Sequence, residues 1–260
     1  MNEQRGGTGR YLFAVSRGLS PDALDGVPGL AGHPVEALRC GDLQAVVCTV
    51  DLAEFGEQEL ARNLEDLDWL ETVARAHNEV VFAAAFVGTV APMRLVTICS
   101  DDASVRARVE ELHDELVAAL DRVEGRREWS VKAYAAAPVT TPETDAISPQ
   151  AAQTGAGAAY LQRKKQQAEL RRSVDTQFAQ LSDEVHHQLS EVAVASRRLP
   201  SQDPRLTGRR EAMLLNGAYL VGVDDGPQFR DLVMRLGETR REITLEVEGP
   251  WPPYSFATLE

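Results

Sequence analysis

Ile243-Thr244-Leu245-Glu246-Val247-Glu248-Gly249-Pro250-Trp251-Pro252-Pro253-Tyr254-Ser255-Phe256 is the stretch on which the architecture of this 260-residue chain turns. Ile243 to Val247 reads as a strand, with Glu246 and Glu248 flanking Val247 so that one face is buried. Three prolines and three aromatics then fall within the eight positions from Gly249 to Phe256. Proline fixes φ and brings no N–H to a sheet ladder, so the tail is extended, stiff and at an edge. Pro250-Trp251-Pro252-Pro253 has the composition of a polyproline II ligand for another protein. The other reading is that Trp251, Tyr254 and Phe256 dock on the chain's own C-terminal domain and close its sheet edge. Glycine and then prolines directly after a strand favour docking, and a free aromatic tail would be an exposed-patch liability. Trp251 is therefore expected to pack on the C-terminal domain.

Upstream, Met213 to Val223 is a strand, and Asp225-Gly226-Pro227 turns into a short helix, Gln228 to Gly237. That helix points Phe229, Leu232, Val233 and Leu236 inward. Ala158 to Leu199 reads as one long helix, with Val174, Phe178, Leu181, Val185, Leu189 and Val192 at almost heptad spacing. Pro200 to Pro204 ends it. Arg241 to Val247 is the final strand. A β-α-β core with a long helix packed on it is what one half of a ferredoxin-like domain needs.

The N-terminal half has its own pattern. Tyr11 to Ser16 is a strand, with Tyr11, Phe13 and Val15 on one face and Leu12 and Ala14 on the other. Gly18 to Pro34 is loop, rich in Gly, Pro and Asp. Leu43 to Val50 is a second, well-buried strand. One long helix is expected from Glu57 to Phe86, with a stripe of Leu60, Leu64, Leu67, Leu70, Ala74, His77 and Val81. Pro92 to Ile98 is a third strand. Ser100-Asp101-Asp102 supplies N-caps for a second helix, with Val105, Val109, Leu112, Leu116, Leu120 and Val123 on one face and Gly125 as its C-cap. Trp129 to Tyr134 is a fourth strand, giving a small α/β sandwich. Pro138, Pro142 and Pro149 lie among Ala, Thr, Ser and Gly in the best linker of the chain. The expected fold class is α/β (α+β) with two domains: 1–135, a Pro/Ala/Thr-rich linker at 136–157, and 158–260.

Composition narrows the function. The net charge of −13 argues against a nonspecific nucleic-acid binder. Basic residues cluster locally at Arg163, Lys164, Lys165, Arg171 and Arg172, which reads as a solvated helix face. Cys40, Cys48 and Cys99 form no C-x-x-C pair and give neither a disulfide framework nor a zinc site. Cys48 and Cys99 sit in apolar runs as small hydrophobes. No apolar run approaches the ~20 residues of a membrane helix. Met1 to Arg10 has no signal-peptide core. A cytoplasmic protein is expected.

Several strings resemble the gas vesicle protein F/L family. Gly249-Pro250-Trp251-Pro252-Pro253-Tyr254-Ser255-Phe256 is similar to that family's ending, and Tyr11-Leu12-Phe13-Ala14-Val15 to its opening strand. Asn63-Leu64-Glu65-Asp66-Leu67-Asp68-Trp69-Leu70 and Ala76-His77-Asn78-Glu79-Val80 resemble its first long helix. Glu128-Trp129-Ser130-Val131-Lys132, Ala158-Ala159-Tyr160-Leu161 and Ala218-Tyr219-Leu220-Val221 resemble later elements. The order and spacing fit over nearly the whole chain. One departure stands out: where the family typically reads Pro-x-Arg-Phe-Gly-Thr, this chain has Pro92-Met93-Arg94-Leu95-Val96-Thr97. The resemblance implies a modified ferredoxin-like C-terminal domain and a non-enzymatic role in gas vesicle formation. It also implies as partners the small, very hydrophobic major shell protein and other accessory proteins, with location at the gas vesicle.

Candidate sites are few. His77 lies on the apolar stripe, with no second ligand three or four residues away on it, and reads as a buried, hydrogen-bonded histidine. The family also has a histidine there. His186 and His187 point about 100° apart on a helix and do not readily share a metal, and Asp183 does not rescue a site. Gly155-Ala156-Gly157 follows a proline-rich linker rather than a strand, so it fails as a dinucleotide loop. No phosphate loop, nucleophile elbow or H-E-x-x-H is found. The reading is therefore no catalytic, cofactor or metal residue, no small-molecule substrate, no nucleic acid and no membrane. The alternative is a hydrolase or transferase using His77, Arg94 and a carboxylate such as Glu79. A solvent-open pocket holding His77 against a carboxylate favours that enzyme, and a closed core around His77 favours the binding protein.

Overall fold

A computed structural model describes residues 7–136, 156–202, 208–209 and 211–257. Contacts divide the chain into two compact units, 1–128 with 250–260, and 129–249. This differs from the expected boundaries. The C-terminal tail belongs to the first unit, and the strand beginning at Arg126 passes at Trp129 into the second. Neither assignment follows from local pattern, because both depend on partners distant in sequence. The expected linker, 136–157, lies outside the described residues except at its ends.

The first unit is built on an antiparallel sheet. Its strands are β1 (Thr8–Arg17), β2 (Val35–Cys40), β3 (Leu43–Asp51) and β4 (Thr89–Pro92), in the order β2-β3-β1-β4. The two-residue β5 (Ile98–Cys99) also pairs with β1. β2 is an edge strand that follows the Gly18 to Pro34 loop, in a stretch to which the sequence pattern assigns no element. The pairing of β1 with β3 shifts between Leu12 and Ala14, which leaves Phe13 as a bulge. The bulge overturns the simple alternation. Tyr11, Phe13 and Ala14 share one core, and Val15 falls on the opposite face. Tyr11 to Ser16 are fully buried, because helices cover both faces.

The helices are shorter than their periodicity suggests. The expected 57–86 helix is two, α2 (Glu57–Asn63) and α3 (Leu67–Val87), and a single-turn α1 (Leu52–Phe55) precedes them. Asp66 accepts the N–H of Asp68 and of Trp69 and starts α3 afresh, so the stripe from Leu60 to Leu67 does not continue into it. The buried face of α3 is Val73, His77, Val80, Val81, Ala84 and Ala85, and Leu64 and Leu67 are exposed. The second expected helix kinks at Leu112 into α4 (Asp102–Glu111), capped by Asp101, and α5 (His113–Val123). Gly125 follows with φ 66°, the left-handed C-terminal stop expected of it. The expected 92–98 strand stops at Pro92, which has no N–H to offer, and resumes only at Ile98.

The second unit follows the chain order β6 (Arg126–Ala135), α6 (Ala156–Val192), β7 (Ala195–Arg198), β8 (Met213–Gly222), α7 (Gly226–Thr239), β9 (Ile243–Trp251). That is the β-α-β-β-α-β pattern of a ferredoxin-like fold. The sheet order β7-β8-β6-β9 places β6 inside. β6 thus supplies the strand that the sequence reading assigned to the N-terminal sandwich, and it completes what looked like half a domain. α6 ends at Val192 rather than Leu199, because Ala195–Arg198 pairs antiparallel with β8. Val185 and Leu189 of α6, Phe229 and Val233 of α7, and Val131 and Tyr219 of the sheet form one core. The fold class is mixed α/β with two sheets.

Candidate functional site

His77 sits on the inner face of α3 and is only 2% exposed. Its Nδ1 is 3.0 Å from the Tyr11 hydroxyl. That hydroxyl also accepts the backbone N–H of Val96 at 2.9 Å. Tyr11 therefore gives its own hydrogen to Nδ1, and the ring proton of His77 resides on Nε2. Nε2 is buried and has no hydrogen-bond partner among the described residues. The rings of Tyr11, Phe13 and Tyr254 surround the imidazole at centroid distances of 5.8, 5.6 and 6.4 Å. Burial holds the pKa of His77 down at about 4, so the ring is neutral at neutral pH. Burial likewise pushes the Tyr11 and Tyr254 hydroxyls well above their usual range.

Val96 holds this arrangement with φ 63°, a left-handed conformation that a β-branched residue rarely takes. It is the position at which the family pattern quoted above reads glycine. The departure Leu95-Val96 thus places strain at the peptide that bonds to Tyr11.

The tail closes over the same region of the first unit. Tyr254 donates its hydroxyl to Asn78 Oδ1 at 2.7 Å. Ser255 donates its N–H to Glu128 Oε2 at 2.8 Å and its hydroxyl to Oε1 at 2.7 Å. Arg122 donates to the Phe256 carbonyl at 3.0 Å. Pro252, Pro253, Phe256 and Ala257 are buried. The tail docks, but on the first unit, and its anchors are Tyr254, Ser255 and Phe256. Trp251, expected to be the buried residue, is 44% exposed and meets Phe82 edge-on at 6.4 Å.

Phe82 and Phe86 were not singled out by the sequence reading. They lie five and nine residues beyond His77, hence about 140° and 180° around the helix from it. The signal was available: two phenylalanines four apart and off the apolar stripe. Phe82 is 47% exposed and Phe86 83%.

The remaining candidates do not converge. Glu79 is exposed on the outer side of α3, away from the buried His77, and Arg94 is exposed in the turn after β4. His186 Nδ1 bonds the Tyr219 hydroxyl at 2.8 Å, whereas His187 faces solvent beside Glu191. Asp183 pairs with Arg198 at 2.6 Å. Cys40, Cys48 and Cys99 are free thiols, and burial pushes Cys48 up to about 11. Lys164, Lys165, Arg171 and Arg172 are exposed on α6, Lys165 lying 3.9 Å from Glu169. Among the described residues no group of three or more His, Cys, Asp or Glu is placed to hold a metal, and no helix is long and apolar enough to cross a membrane.

The fold is shared with known proteins. Residues 9–258 match the family model described as "Gas vesicle synthesis protein GvpL/GvpF". The chain is 40% identical over 251 residues to Gas vesicle protein L of Streptomyces sp. (strain CB03234), covering 96% of this chain and 93% of that one. It is 27% identical over 253 residues to Gas vesicle protein F of the same organism, covering 95% and 98%. The crystal structure of GvpF from Anabaena sp. PCC7120 superposes with a TM-score of 0.68 at 16% identity, covering 97% of each chain. That of GvpF from Microcystis aeruginosa gives 0.61 at 18% identity, over 96% of this chain and 99% of that one. With a family model matched over almost its entire length, the chain belongs to the gas vesicle protein L/F family.

Proposed function

We propose that this protein acts in gas vesicle assembly by binding the major shell protein, and that it works without catalysis, metal or nucleotide. The observation that supports binding over chemistry is the enclosure of His77. Its Nδ1 is taken up by Tyr11, its ring is walled by aromatic side chains, and the carboxylate at Glu79 faces the other way. A general base needs hydrogen-bond access to a substrate proton. A shell protein that buries its apolar face only on assembly needs a partner to hold or place it, and an acidic two-unit protein suits that task. Other accessory proteins of the vesicle are further partners in this reading, and its place of action is the cytoplasm and the vesicle itself.

The test is co-purification of the full chain with the major shell protein in the presence of EDTA. Retention of the shell protein is the expected result. A requirement for metal, or failure to bind the shell protein while other vesicle proteins do bind, overturns the reading.

A further inference from the structure

We propose that the docking surface of this protein is the ledge formed by the exposed Phe82, Phe86, Trp251 and Arg122 together with the half-buried Arg126 and Arg127, and that it takes an amphipathic helix whose apolar stripe is edged by carboxylates. The identity of the partner as the shell protein rests on the reading above. The chemistry of the surface rests on the residues alone.

All six side chains belong to the first unit. Phe82 and Phe86 are one turn apart on the outer face of α3, and the Trp251 ring stands against Phe82 at 75°. Exposed aromatics at helical spacing form a ridge of the kind that packs into the groove of another helix. Aromatic side chains lose little rotamer freedom on contact, which suits them as anchors. The tail fixes this ledge. Tyr254 and Ser255, tied to Asn78 and Glu128, hold Trp251 beside α3. The prolines on either side stiffen its backbone.

The arginines say which helix fits. Arg127 donates to the Ala85 carbonyl at 2.7 Å, immediately before Phe86. Arg126 donates to the Arg122 carbonyl, and Arg122 to the Phe256 carbonyl. A row of guanidinium groups therefore runs from the tail to the C-terminal end of α3. Arg10, Arg17, Arg62, Arg75, Arg106, Arg108 and Arg198 all pair with carboxylates. Arg122, Arg126 and Arg127 form no ion pair among the described residues, although the chain carries a net charge of −13. Each bonds only to backbone carbonyls and keeps donors to spare. Guanidinium groups beside an apolar ledge complement carboxylates flanking an apolar stripe, and that match orients the incoming helix.

The experiment compares full-length Phe86→Ser and Arg126→Glu with the wild-type chain in binding to the shell protein. Leu67→Ser, at the 76% exposed residue that opens α3, serves as control. Phe86→Ser and Arg126→Glu are expected to weaken binding by about tenfold or more with unchanged melting temperature, and Leu67→Ser to leave it intact. Wild-type affinity in both variants overturns the ledge. If the wild-type chain does not bind the shell protein at all, it is the proposed function that fails. The ledge is then judged with a synthetic helical peptide bearing a leucine stripe edged by glutamates. Binding to wild type but not to Phe86→Ser upholds it; equal binding to both, or none, overturns it. A lysine-edged peptide that binds as tightly as the glutamate-edged one also overturns it.

Discussion

The Tyr11 hydroxyl bridges His77 Nδ1 at 3.0 Å and the Val96 N–H at 2.9 Å, so one phenol ties β1, α3 and the turn between β4 and β5. Replacing Tyr11 with Phe keeps the ring and leaves the buried His77 Nδ1 and the part-buried Val96 N–H without their partner. An unsatisfied buried group costs about 1–3 kcal/mol. Tyr11→Phe is expected to lower the urea midpoint accordingly with an unchanged denaturant slope. His77→Gln should also lose about 1–3 kcal/mol while shell-protein binding persists. A His77→Gln chain with full stability and no binding would assign His77 a chemical role instead.

Val96 offers a sharper test, because the expected order of two substitutions is inverted there. Alanine is ordinarily more favourable than glycine by about 0.5–1 kcal/mol in regular structure. At φ 63° any Cβ meets the left-handed penalty of about 1–2 kcal/mol, which glycine escapes. Val96→Gly should therefore be more stable than Val96→Ala by about 1 kcal/mol. Differential scanning calorimetry of the pair decides it, and an alanine variant that melts higher refutes the strain.

The buried imidazole also predicts a pH dependence. Its pKa falls from the ordinary 6.5 to about 4 on folding. The unfolded chain thus binds a proton that the folded chain refuses, and stability rises with pH between those values. The contribution is complete above about pH 6.5 and is lost as pH falls toward about 4. A shift of this size amounts to roughly 3 kcal/mol. Carboxylates titrate in the lower part of this window too, so the measurement is the difference between wild type and His77→Gln. The variant should show a flatter loss of stability on acidification, and identical slopes would contradict the assignment.

Much of this was legible in local pattern, and what was not has a common cause. Leu43 to Val50, Met213 to Val223 and the Phe229-Leu232-Val233-Leu236 face all fold as their periodicity requires. The bulge at Phe13 has no signature in Tyr11-Leu12-Phe13-Ala14-Val15, since every residue of that run is apolar and either alternation fits. Asp66 is a strong N-cap, yet the leucines before it continue the stripe well enough to hide the break. Trp129 to Tyr134 is plainly a strand, but no local feature says which sheet it enters. At the site, the burial of His77 follows from the stripe, whereas its partner Tyr11, and Val96 as the partner of Tyr11, arise from contacts 66 and 85 residues apart along the chain.

The tail shows how the anchor of a motif can differ from its most conspicuous residue. Tryptophan in a Pro-Trp-Pro-Pro string invites the expectation that it is the buried plug. In the folded chain Trp251 is 44% exposed, and Phe256 is 5% exposed beside Ala257, which is fully enclosed. Truncating a buried Phe costs about 3–5 kcal/mol, whereas a half-exposed side chain forfeits much less. Phe256→Ala should therefore lower the melting temperature of the full chain by many degrees, and Trp251→Ala should barely move it. Since the tail is tied to Asn78 and Glu128 rather than to the second unit, a stop after Gly249 is expected to loosen α3 and the start of β6. Hydrogen exchange should show this as lost protection at Val80, Val81 and Ala84. Unchanged protection there, with loss confined to α7 and β8, would place the tail back on the C-terminal half.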